Sequence, residues 1–179
     1  MSRFLLRPRS GINEIRLGDR PEAVRRAVGQ EPEHWPARQQ FGIDFPARDL
    51  FFDGALVVHY DEHRRAEWIA AGDGLPLRHE GLDLFQAAAD TVLVHLMQFG
   101  TLEEDDQEPG RAYVFPSLQL SLWRPDDPRV LQEELAASGN EKERRALRQA
   151  LARATFFQQI AVFSQGYWAP PLDHGPSSA

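Results

Sequence analysis

The 179-residue chain contains no cysteine. That excludes a disulfide framework, a thiolate zinc site and a cysteine nucleophile. It holds one lysine, Lys142, against nineteen arginines scattered along its length. The scatter reads as the codon bias of a GC-rich bacterium rather than as selection for bidentate guanidinium chemistry. No run approaches the roughly 18 apolar residues of a membrane span, and no amino-terminal stretch has the three-part layout of a signal peptide. A soluble, cytoplasmic protein that binds no membrane is the expectation. Basic residues are outnumbered 20 to 27, for a net charge of −7, which speaks against a general nucleic-acid binder. The sequence also lacks a Walker-type loop, a dinucleotide-type glycine fingerprint and a G-x-S-x-G nucleophile elbow. No catalytic residue, metal or cofactor is assigned.

What is present is an ordinary globular balance, 42% hydrophobic and 26% charged, in the length of one domain. Residues 1–168 are expected as a single α+β domain, an antiparallel sheet with helices packed on one face. Residues 169–179 are expected as a disordered tail. Phe4 to Leu6 reads as an edge strand or a loose arm, and Ile12 to Gly18 as a short alternating strand. Asp19 and Glu22 have capping-box spacing ahead of a helix over 20–28, stopped by Gly29. Residues 30–38, with Pro32, Trp35 and Pro36, read as a loop.

Apolar runs from Phe41 to Ala70, broken at Asp53-Gly54 and at 61–65, predict a meander of three or four antiparallel strands. Residues 72–81 read as a loop. The stripe Leu84, Ala88, Val92, Leu96 and Phe99 predicts a helix over 83–99. A hairpin is expected over 113–123, a helix in two pieces over 129–154 and a last strand over 156–163. Two stretches, 12–70 and 77–123, share one order of entry segment, helix and strands, and read as two related units.

The segment Ile12 to Gly29, followed by Gly42-Ile43-Asp44-Phe45 and Leu56 to Asp61, resembles a known helix-then-meander unit. It is that of the outer-membrane assembly lipoproteins (SmpA/OmlA) and the β-lactamase-inhibitory-protein group. Two such units in tandem also resemble small bacterial toxin-immunity proteins. The resemblance implies a fold and a mode of action, namely binding another protein on a sheet face. It carries over no functional residues. The lipoproteins have a lipidation cysteine and the secreted inhibitor has disulfides, whereas this chain has no cysteine.

Five carboxylates, Glu103, Glu104, Asp105, Asp106 and Glu108, fall on one expected loop. They read either as a solvated loop or as an electrostatic lure for a basic partner such as a toxin domain. Trp35 and Trp168, in expected loops, are the candidate apolar anchors, with core caps as the plainer reading. His59 and His63 read as a solvated turn or, with nearby carboxylates, as the site of a small metal-dependent hydrolase. His95 is expected as a boundary histidine bonded to a backbone carbonyl. A third option is a homodimer pairing through a sheet edge. The preferred reading is a non-enzymatic immunity or inhibitor protein.

Overall fold

The computed structural model describes residues 4–104, 108–165 and 167. The chain begins with β1 (Phe4–Arg7), β2 (Gly11–Ile12), β3 (Ile15–Arg16) and α1 (Pro21–Val28). The alternating Ile12–Leu17 stretch is therefore a tight hairpin, not one strand. Its turn at Asn13, in the left-handed region, sets Ile12 opposite Ile15 so that both enter the core. Asp19 does not cap α1. Its carboxylate accepts from the Arg16 amide at 2.8 Å, and Arg20 takes the N-cap without a side-chain bond.

Next come β4 (Glu33–Trp35), β5 (Arg38–Gln40), β6 (Ile43–Phe45), β7 (Ala47–Phe51), β8 (Leu56–Tyr60) and β9 (Ala66–Gly72). They are followed by β10 (Leu77–His79), β11 (Leu82–Asp83) and α2 (Ala89–Leu96). The helix expected over 83–99 is thus half its expected length. Asp83 accepts from the amides of Phe85 and Gln86, an Asx-type turn that holds residues 83–86 out of the helix. Phe99 lies outside α2 and is exposed rather than in its apolar stripe.

The chain ends with β12 (Glu103–Glu104), β13 (Ala112–Phe115), β14 (Leu120–Trp123), α3 (Pro128–Ala137), α4 (Glu141–Ala154) and β15 (Gln159–Phe163). The helical pair breaks at 138–140 as the sequence predicts, because Asn140 caps α4 by accepting from the Lys142 and Glu143 amides. No helix among the described residues is long and apolar enough to cross a membrane.

The architecture is α+β. An eight-stranded sheet runs β12-β13-β14-β15-β9-β8-β7-β4, and all its pairings are antiparallel. Each half is a four-stranded meander, and the halves meet where β9 pairs with β15. A second sheet runs β11-β10-β1-β2-β3. In it β1 is no edge strand, since it lies between β2 and a parallel partner, β10. The order hairpin, helix, meander occurs twice, as β2 to β9 and as β10 to β15 with α3 and α4 inserted before the last strand. One core joins both sheets: Leu6, Ile12, Ile15 and Leu77 of the smaller sheet lie in the same cluster as Phe51, Leu56, Phe115, Leu120 and Ile160 of the larger. Val24 of α1 and Val92 and Leu96 of α2 fill the same cluster.

The β2–β3 hairpin is tight enough to require glycine. A Cβ on Gly11 would sit 1.9 Å from the Ile15 carbonyl oxygen, inside any van der Waals limit. We expect Gly11→Ala to cost about 3 kcal/mol, a fall in Tm of roughly 6–12 °C. Gly139→Ala meets nothing within 4 Å and is expected to change stability by less than about 0.5 kcal/mol. Thermal melts of both variants check the contrast.

Candidate functional site

One carboxylate in the core organises the region around β4 and β7. Asp49 of β7 is fully buried. His34 of β4 donates to it through Nδ1 at 2.6 Å, Tyr60 of β8 through its hydroxyl at 3.0 Å, and Arg25 of α1 through Nε at 3.3 Å. Burial, then the Asp49 charge and hydrogen bond, push the Tyr60 phenol far above its ordinary range. The Asp49 hydrogen bond also raises the Arg25 guanidinium. The three bonds tie α1, β4 and β8 to β7 and act as a clamp between these elements.

The clamp holds the root of a β-arm. β4 pairs with β7 as Glu33↔Leu50, His34↔Asp49 and Trp35↔Arg48. Stepping outward from that last pair, the same register reaches Arg38↔Phe45, Gln39↔Asp44 and Gln40↔Ile43 of β5 and β6. Residues 33–51 are therefore one long hairpin whose ladder is interrupted at 36–37 and 46–47. Pro36 and Pro46, which have no amide hydrogen to give, fall in that gap. Trp35, expected on a loop, bridges the break from β4. The Arg48 guanidinium lies 4.4 Å from its ring centroid on the root side, and that of Arg38 lies 5.5 Å away on the distal side. Arg38 also covers Phe45 at 5.3 Å.

The arm turns at Phe41-Gly42, with φ of 53° and 76°. A two-residue turn of this hand favours Asn-Gly or Asp-Gly. A phenylalanine there strains the backbone, and burial does not offset the strain, because Phe41 is 93% exposed. Ile43 beside it is 59% exposed. Between the arm and the β8–β9 turn lies a cleft of about 910 Å³, with Arg38, Asp44 and Phe45 on one wall and Asp61, Glu62 and Glu67 on the other. Its two arginines are engaged: Arg38 by the aromatic stack and Arg64 by Glu22 at 3.2 Å. Burial, then Asp61, raises the Glu67 carboxyl, and four carboxylates line the cleft against the two arginines.

The acidic run is partly built into structure. Glu103 and Glu104, expected on a loop, form the edge strand β12, paired with Val114 and Tyr113. Glu108 accepts from the Trp123 indole at 3.1 Å and lies 3.8 Å from Arg111. Asp105, Asp106 and Trp168 lie outside the described residues. Strand β12 and strand β4, at the root of the arm, lie at opposite edges of the eight-stranded sheet.

His59 lies against the sheet rather than in a solvated turn. It packs against Trp68 with ring centroids 4.5 Å apart, and its Nδ1 is buried without a partner. Burial, then Arg48, lowers its pKa to about 4. His63 is exposed and lies 3.5 Å from Glu62. No group of three or more acidic or histidine ligands converges among the described residues. His95 bonds not a backbone carbonyl but another imidazole, His79, at 3.1 Å. The chain matches no protein-family model, no curated protein and no solved structure.

His34, Asp49 and Phe41 were not singled out by the sequence. The available signals were an Asp in an otherwise apolar strand and a phenylalanine directly before a turn glycine. Removing the carboxylate strands three donors. We expect Asp49→Ala to cost about 3–5 kcal/mol in urea unfolding, and Tyr60→Phe only about 1 kcal/mol. Limited proteolysis of Asp49→Ala should cut first within 33–47. His59 gives a pH signature. Its folded pKa lies below the unfolded value of about 6.5, so its contribution is complete above that pH and is lost as pH falls toward 4. Between pH 7 and 4.5, Tm of His59→Gln should therefore fall less steeply than that of the wild type.

Proposed function

We propose that this chain is a non-enzymatic protein-binding module, a bacterial, cytoplasmic immunity or inhibitor protein that occludes a toxin. The observation that carries the reading is the arm tip. A strained, almost wholly exposed phenylalanine stands at the end of a hairpin whose root is locked by a buried carboxylate. Strain retained at a side chain left almost wholly exposed is accounted for by a partner that covers it. A pre-positioned arm also loses little conformational entropy on binding. The carboxylates of the neighbouring cleft and the net charge of −7 favour a basic partner and speed its approach at low salt. In this reading Phe41 and Ile43 supply apolar contact and Trp35 stiffens the arm. Glu103, Glu104 and Glu108 add long-range attraction.

Where the neighbouring gene encodes a toxin-like domain, that domain is titrated calorimetrically with the full chain. Phe41→Asp is expected to weaken binding by 30-fold or more, about 2 kcal/mol, with Tm unchanged or raised. Charge reversal at Glu103, Glu104 and Glu108 should instead slow association and flatten its salt dependence, leaving dissociation nearly unaltered. Binding indifferent to Phe41→Asp would refute the arm as the anchor. No binding to that domain, and no protection of cells from it, would refute the immunity reading.

A further inference from the structure

The imidazoles of His79 and His95 lie far from the arm, and the proposed binding function does not use them. His79 ends β10, and His95 sits in the last turn of α2. The fold brings Nδ1 of His79 to 3.1 Å from Nε2 of His95. Phe99 packs edge-on against both rings, with centroids 5.0 and 5.5 Å away. His79 is buried while His95 is partly open to solvent, so an ion can reach the pair from the His95 side.

We infer that His79 and His95 form a two-imidazole chelate for a borderline divalent transition metal, such as Zn²⁺ or Cu²⁺. The argument is geometric. Zn–N bonds are roughly 2.0–2.1 Å long, so two neighbouring ligands of a tetrahedral or square site hold their nitrogens roughly 2.9–3.4 Å apart. The observed separation lies inside that window. As the pair stands, one nitrogen donates to the other and the two share one hydrogen. On binding, both lone pairs turn to the metal, and His79 carries its hydrogen on Nε2. Solvent completes the coordination shell.

A donor set of nitrogen alone selects zinc, copper and nickel over magnesium and calcium, which prefer oxygen. The two ligands are sixteen residues apart, and folding is what brings them together. The metal therefore binds the folded chain in preference to the unfolded one and raises Tm by mass action.

The test is a thermal melt of the full chain, stripped with chelator and titrated with ZnCl₂. We expect a rise of several degrees that saturates by millimolar zinc, and no rise with MgCl₂. His63→Gln, at an exposed turn, should retain the rise, and His95→Gln should abolish it. Imidazole NMR of the wild type gives a readout that does not depend on how a variant folds. Zinc should shift the His79 and His95 signals before those of His34, His59, His63 and His174. No rise in Tm, a rise retained in His95→Gln, or first shifts at other histidines would each overturn the assignment.

Discussion

The Asp49 carboxylate has no solvent-exposed surface, and four elements converge on it. Desolvating a carboxylate costs several kcal/mol, and in a protein interior only well-placed donors offset that cost. Here the donors come from α1, β4 and β8, so the charge is stable only when all three have docked on β7. The same bonds fix β4, a three-residue edge strand with two exposed residues that has little apolar surface of its own to hold it. The distal half of the arm then inherits its direction from that root, across the proline gap, through the Arg38–Trp35–Arg48 stack. A polar interaction inside the body thus sets where an apolar side chain stands outside it.

Local chemistry made much of this fold legible. The Asp53-Gly54 turn, the Asn140 cap between the last two helices and the β13–β14 hairpin all depend on residues close in sequence. What escaped depends on distant partners. Glu33-His34-Trp35 has no apolar alternation, and it is a strand only because Arg48 to Leu50 offers a ladder. Phe41, Ile43 and Phe45 do alternate, yet Gly42 turns the chain and sends Phe41 to a tip. In the stretch before α2, Leu84 and Phe85 are both buried in a turn, and their spacing suits a helix equally well. A carboxylate in a strand reads as solvent-facing until its three donors are known, which is why Asp49 was passed over.

Charge and shape are separated on this molecule. The densest acidic run in the sequence begins on edge strand β12, at one end of the large sheet, whereas the arm rises from β4 and β7 at the other. The carboxylates nearest the arm are instead dispersed in sequence, at 44, 61, 62 and 67, and are gathered only by the fold. A count of acidic residues along the chain therefore locates a different surface from the one that the arm and its cleft define.

The pairing of β9 with β15 has a consequence for how the molecule comes into being. Strand β15 lies between β14 and β9, at the middle of the large sheet, yet it is the last element of the described chain. As the polypeptide leaves the ribosome, two patches of hydrogen-bonding backbone, five residues of β9 and four of β14, must wait for residues 159–163. Closure is a long-range step, slower than the local meanders that precede it. Until it happens, both waiting edges are open to strands of other chains. The α3–α4 hairpin, whose two helices pack on each other, is the segment synthesised during that wait, and it sets the interval before the sheet can be sealed.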